Sequence, residues 1–223
     1  IFTHAFHICH GRLQGKIHLM STNSFKIAVM PGDGIGIEVM DACIVVLEAI
    51  SKKVGGPGLD LQHVPGGAGH YRDHGTDLPD ESFESARAAD AILFGAMGLP
   101  DVRKTDGTEI NPQRDLRFGL ELYAGVRPVR VLPGAPTPLA DPRAQDIDLV
   151  LIRENTEGLF ADIRKPRKDN GLEAEDRCLI TRNGSESVNE YAFKLAAPRS
   201  RTRPQAPRLP CLVKDPVLHS PAF

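Results

Sequence analysis

Asn111–Arg130 reads NPQRDLRFGLELYAGVRPVR, and the fold follows from how this stretch is parsed. Proline at the first helical position lacks only an N–H that would be orphaned anyway, so Asn111 is placed to cap a helix starting at Pro112. Leu116, Leu120 and Tyr123 recur at i, i+4 and i+7 and mark its core face, with Arg117 one position off that stripe. Gly125 is expected to end the helix and Val126–Leu132 to run extended, with Pro128 arguing for a sheet edge. Arg153 closes a second apolar run, Leu149-Val150-Leu151-Ile152, the pattern of a buried strand. In open α/β sheets ligands gather beyond the carboxyl ends of strands, where an arginine suits an anion. Arg117, Arg127 and Arg153 are therefore candidates to converge on a substrate with two carboxylates. Guanidinium forks bind carboxylate in a planar, bidentate way that lysine cannot copy. The competing reading is solvated or ion-paired arginine, and Glu121, four residues from Arg117, favours it.

Outward from this stretch, apolar runs and turn residues alternate. Phe25–Met30, FKIAVM, has the composition of a buried strand. Pro31-Gly32-Asp33-Gly34-Ile35-Gly36 then turns into a helix with Ile37, Met40, Ile44 and Leu47 on one stripe. This loop is not the G-x-G-x-x-G dinucleotide pattern, and a tight strand-to-helix turn explains its glycines equally well. Leu59–Val64 alternates as a strand, Asp80 can cap a helix through Ala89, and Ala91–Gly95 is another buried strand. Strands alternating with helices imply a parallel sheet built of βαβ units. Ala96–Ile110 carries no regular pattern. Ser187–Ala197 reads as a helix with Val188, Tyr191 or Ala192, and Leu195 on one side. The next segment, PRSRTRPQAPRLP over 198–210, is too rich in proline to continue it.

Composition excludes more than it selects. The chain of 223 residues has a net charge of −2 with both signs mixed, so nothing points to nucleic acid or an anionic membrane. No apolar run reaches membrane-spanning length. Cys9, Cys43, Cys178 and Cys211 form neither a disulfide framework nor a metal pattern, which makes a reducing cytoplasm the default location. His4, His7 and His10 with Cys9 lack the second ligand pair of a zinc site.

The segments LRFGLELYAGVRPVR and LIRENTEGLF, preceded in order by VMPGDGIGIEVM, HGTDLP and FGAMG, resemble the isocitrate/isopropylmalate dehydrogenase family of oxidative decarboxylases. The resemblance covers residues 25–197, and 208–218 more loosely. It implies an α/β, isopropylmalate-dehydrogenase-like two-domain fold, incomplete at the C-terminal end. Residues 1–19 lie outside it as an extension ahead of Met20, 20–99 form the first, cofactor-side part of domain 1, and 100–223 form domain 2, irregular from 198.

The chemistry implied is oxidation of a 2-hydroxy diacid by NAD, assisted by Mg2+ or Mn2+, followed by loss of carbon dioxide. Arg117, Arg127 and Arg153 would hold the carboxylates. Gln113, one turn before Arg117, would face the variable part of the substrate, and a polar residue there suggests a malate- or tartrate-like acid. Gly98 and Thr108 are the cofactor-binding candidates. Phe160 stands where the family has the tyrosine that protonates the enol, and Lys214 matches the lysine that takes the hydroxyl proton in the partner subunit's site. Residues Ile163–Thr181 match an arm that pairs across a homodimer. No residue can be matched to the family's acidic metal ligands, so the chain by itself is expected to be inactive. Two rival classes are a non-catalytic truncated remnant and an α/β phosphate-binding module using Gly32–Gly36.

Overall fold

The computed structural model describes residues 24–55, 58–161, 168–169, 171–175, 177–200 and 208–212. The chain divides into two compact units, Ile1–Glu121 and Leu122–Phe223; the family resemblance implies a domain division near residue 100.

In the first unit β1 (Ser24–Met30), β2 (Gly58–His63) and β3 (Ala91–Phe94) form a parallel sheet in the order β2-β1-β3, as the alternation of strand and helix patterns implied. The central strand carries two of the largest fully buried side chains, Val29 and Met30, both 0% exposed. Ala28 and Met30 pack with Val64, Ala86 and Leu116, and Leu78, Phe83, Phe94 and Leu120 close around them. Leu116 and Leu120 are thus core, as their spacing required.

Helix α1 (Ile35–Val54) buries Gly36 and Met40, while Ile37 is 52% exposed. The expected stripe is therefore rotated at its start. A Cβ on Gly36 would lie 2.5 Å from the carbonyl oxygen of Ala96, so the helix begins with its backbone against the loop after β3. The short α2 (Ala68–His74) is followed by α3 (Asp80–Ala88), in which Asp80 occupies the first turn and Pro79 the cap position, with no side-chain cap bond. Asp80 acts there as a first-turn acid favoured by the helix dipole.

Helix α4 (Pro112–Gly119) starts where expected, yet the Asn111 side chain makes no cap hydrogen bond. It also ends earlier than Gly125: Leu120 N–H still reaches the Leu116 carbonyl at 2.9 Å, and Glu121 then turns out of the helix at φ 52°. Tyr123 consequently lies beyond the helix.

The second unit pairs β4 (Ala124–Arg130) with β5 (Asp148–Glu154), antiparallel, with Gly125 opposite Arg153 and Arg127 opposite Leu151. Pro128 is accommodated because β4 has only this one partner among the described strands. The run ending at Arg153 is not buried on both faces: Leu149 is 49% and Leu151 40% exposed, since a two-stranded sheet leaves one face open. A short pair, β6 (Lys168–Asp169) and β7 (Ala174–Glu175), follows. Helix α5 (Arg182–Ser200) then packs on β5.

This last helix starts five residues before the expected Ser187 because Thr181 caps it. Gly184 N–H donates to Thr181 Oγ1 at 3.0 Å, and the Glu157 carboxylate accepts from both the amide (2.8 Å) and the hydroxyl (2.5 Å) of Thr181. Of the two residues left open for its inner face, Ala192 is the buried one, at 7%. The helix also continues through Pro198 to Ser200, although Pro198 has no amide to donate to the Lys194 carbonyl one turn back. Arg199 anchors that turn to Asp148 at 2.7 Å. Lys214, the extension before Met20 and the segment 201–207 lie outside the described residues.

Candidate functional site

Side chains on paired strands alternate between faces, so residues directly opposite, and those two further along, share one face. The register Gly125–Arg153 and Arg127–Leu151 therefore puts Arg127 and Arg153 on the same face as diagonal neighbours. Diagonal pairs lie about 7–8 Å apart, within reach of long side chains. Two guanidinium groups thus share the carboxyl end of β5 without a carboxylate between them on that face of the ladder. Burial holds Arg153 below the usual arginine range, and the neighbouring charge of Arg127 lowers it further, against a smaller opposite effect from Glu154. An anion seated at the pair would offset the repulsion between them.

Three further residues shape Arg153. Its Nε donates to Asn155 Oδ1 at 2.9 Å. Asn155 is 1% exposed, and its own amide donates to the Tyr123 carbonyl at 2.8 Å. Gly125, opposite Arg153, leaves room for that carboxamide, because a Cβ there would lie 2.4 Å from Asn155 Nδ2. On the flat side, the guanidinium carbon of Arg153 sits 5.3 Å from the centroid of the Phe160 ring, a cation–π contact. The remainder of the loop is wired to itself: the Glu154 carboxylate accepts from Thr156 N–H (2.8 Å) and hydroxyl (2.5 Å) and from Glu157 N–H (2.6 Å). Glu157 in turn holds Thr181, so the loop is pinned to the start of α5.

Gln113 and Arg117 belong to the first unit, one turn apart on α4. Among the described residues, Gln113 Oε1 and Asn111 Oδ1 are buried without a hydrogen-bond partner. Unpaired buried acceptors cost about 1–3 kcal/mol each, which makes the start of α4 receptive to a hydroxyl or amine donor. Thr108 lies in a tight reversal, with Arg103 bridging Glu109 across it, and its hydroxyl donates to Asp106 at 2.7 Å. The segment that lacked a sequence pattern therefore has a hairpin-like tip. Lys104 ties it to Asp77 at 3.0 Å.

Gly98 takes φ 106° and donates its amide to Asp33 Oδ2 at 2.8 Å. The same buried carboxylate accepts Ala68 N–H and Gly69 N–H, each at 2.7 Å. Asp33 thus joins the glycine loop, the start of α2 and the loop after β3. In that glycine loop, a Cβ on Gly32 would fall 1.9 Å from the Ala96 carbonyl oxygen. Close backbone packing accounts for this glycine without invoking a phosphate.

The structure accordingly brings together Arg127, Arg153 and Phe160. Sequence pattern missed Asn155 and Asp33 and assigned Asn111 only a capping role. For Asn155 a signal existed, because an isolated glycine in a strand, Gly125, marks a close approach.

A family model described as isocitrate/isopropylmalate dehydrogenase matches residues 26–220. A probable tartrate dehydrogenase/decarboxylase of Agrobacterium vitis is 37% identical over 188 residues, covering 79% of this chain and 50% of that protein. A 3-isopropylmalate dehydrogenase of Thermobifida fusca is 41% identical over 182 residues, with 81% and 51% covered. The crystal structure of isocitrate dehydrogenase from Methylococcus capsulatus superposes with a TM-score of 0.60 at 34% identity, covering 79% of this chain and 48% of that one. The chain spans about half the length of the curated relatives it matches.

Proposed function

The chain belongs to the isocitrate/isopropylmalate dehydrogenase family, and from that premise we propose that it is part of an NAD- and metal-dependent enzyme that oxidises and decarboxylates a 2-hydroxy diacid. Its fold is the α/β type of that family over the part matched. The observation that carries the proposal is the like-charged pair Arg127 and Arg153 at the carboxyl end of β5, with Arg153 oriented by Asn155 and covered by Phe160. Two guanidinium groups so close call for a dianion, and fork geometry favours carboxylate.

In this reading Arg127 and Arg153 hold substrate carboxylate. The family resemblance alone enlists Arg117 and Gln113 for the same substrate. On the same resemblance, a polar residue at Gln113 favours an acid of the malate or tartrate kind. Lys214, the expected proton acceptor, stays part of the proposal on resemblance.

Gly98 fits a flat cofactor ring in one respect: its Cα face is open, with Ile110 O at 3.8 Å the nearest atom to an added Cβ. NAD held there would supply the acceptor for the hydride leaving the carbon that bears the hydroxyl. A metal would polarise that hydroxyl. Among the described residues, however, no group of three or more His, Cys, Asp or Glu is placed to hold one. A homodimer is part of the same proposal, supported by the short β6–β7 pair with Leu172 94% exposed beside it. A cytoplasmic location is proposed alongside; no helix among the described residues is long and apolar enough to cross a membrane.

A thermal-shift screen of malate, tartrate, isopropylmalate and isocitrate, each with and without Mg2+ or Mn2+, tests the proposal. Stabilisation by one diacid, and its loss in Arg153→Lys, is the expected result. No stabilisation by any of the four would overturn it.

A further inference from the structure

We propose that Asn155 is a positioning residue: it fixes the guanidinium of Arg153 through Nε so that the terminal nitrogens face a carboxylate shared with Arg127. The anion part of this inference rests on the function proposed above; the positioning part rests on geometry alone. Arginine has several rotatable bonds, and an unrestrained guanidinium beside a like charge would swing away from it. Here Nε is held at 2.9 Å by Asn155 Oδ1, and one face of the group lies over the Phe160 ring. With Nε engaged and a face covered, the Nη edge is the part left to meet an oxyanion in a fork.

Asn155 is suited to this because it is buried and held on two sides. It is 1% exposed, its backbone donates to Tyr123, and its carboxamide fills the space left by the missing side chain of Gly125. Gly125 is itself the ladder partner of Arg153. The residue opposite the arginine therefore makes room for the group that orients it. A neutral carboxamide also accepts the Nε hydrogen without cancelling the positive charge, which a carboxylate would do.

The arginine side-chain Nε–H signals in a 15N-correlated NMR spectrum of the full chain test this. In the unsubstituted protein the Arg153 Nε–H, assigned by its disappearance in Arg153→Lys, is expected to be resolved and slow to exchange. Asn155→Leu is expected to lose it while the backbone spectrum of the first unit is unchanged. Asn155→Asp, which keeps the acceptor, is expected to retain it. An unchanged signal in folded Asn155→Leu would overturn the proposal. Should that variant not fold, loss of the signal in a folded Asn155→Asp would overturn it equally. D-malate titrated into the same sample separates the two claims. Backbone amide shifts of β4 and β5 that report an affinity at least tenfold weaker in Asn155→Leu than in the unsubstituted protein support the shared-anion role. No shift in the unsubstituted protein removes the hydroxy-acid reading, while the comparison of variants still decides the role of Asn155.

Discussion

The carboxylate of Asp33 accepts the amide of Gly98 at 2.8 Å, across 65 residues of sequence. The same group takes two amides from the start of α2, so one buried side chain joins three loops around the parallel sheet. Hydrogen bonds to a charged acceptor are worth roughly 1.5–3 kcal/mol net, and buried donors left unpaired add to the loss.

Asp33→Ala should therefore destabilise the first unit by at least about 2 kcal/mol, the lower part of that range. Asp33→Asn, which keeps one acceptor oxygen but turns an N–H2 toward an amide donor, should fall between. Urea unfolding monitored by far-UV circular dichroism measures this. A midpoint for Asp33→Ala within error of the parent would sink the brace.

Arginine geometry predicts a contrast within one hairpin. Arg153 is fixed at the carboxyl end of β5, whereas Arg130 is exposed at the other end of the ladder opposite Asp148. Replacing either by lysine keeps the charge, but only at Arg153 is a held fork lost. Loss of one charge-assisted bond at about 1.5 kcal/mol corresponds to roughly tenfold in affinity. Arg153→Lys should weaken diacid binding by about that factor, and Arg130→Lys should leave it nearly unchanged. Equal dissociation constants by calorimetry would remove the arginine site.

Phe160 separates ring from hydroxyl. Its ring covers Arg153 at 5.3 Å, and exposed to half-desolvated cation–π contacts contribute about 0.5–2 kcal/mol. Phe160→Leu should weaken diacid binding a few-fold, and Phe160→Tyr should preserve it. In a complete enzyme carrying this sequence, Phe160→Tyr should in addition raise the decarboxylation rate by restoring a proton donor, since general acids are worth about 10²–10⁴-fold. Unchanged turnover and product distribution would mean that another group, or water, delivers that proton.

How much of this could be read beforehand depends on the range of the interactions involved. The parallel sheet, though not its strand order, was legible because β1 and β3 are short apolar runs and β2 an alternating one, separated by helical patterns, and Leu116 was legible from helical spacing. The end of α4 was not, because Gly125 reads as a helix stop until its pairing with Arg153 places it inside β4. Leu149 and Leu151 read as buried because a continuous apolar run carries no record of how many faces are covered. Arg127 and Arg153 could be named from the sequence, but their shared face required the register. Asp33 was invisible as a brace, since its partners at positions 68, 69 and 98 are fixed only by the packing of three loops.

Gly125 offers the sharpest test of how that register supports the site. An added methyl would lie 2.4 Å from Asn155 Nδ2 and 3.0 Å from its carbonyl carbon and oxygen. A flexible surface side chain could yield cheaply, but Asn155 is 1% exposed and tied at both backbone and carboxamide. Overpacking a filled site costs about 1–3 kcal/mol, so Gly125→Ala should destabilise the second unit by that amount. Its second effect should be displacement of the carboxamide from Arg153 Nε, weakening diacid binding as Asn155→Leu does. Gly134→Ala is the control: it carries φ 78° but meets nothing within 4 Å, so it should cost backbone strain of about 1 kcal/mol and leave binding intact. Shortening the displaced group in Gly125→Ala/Asn155→Ser should recover stability but not binding, because room is restored while the acceptor is too short to reach Nε. Recovery of both would show that the clash, and not the lost acceptor, had disabled Arg153.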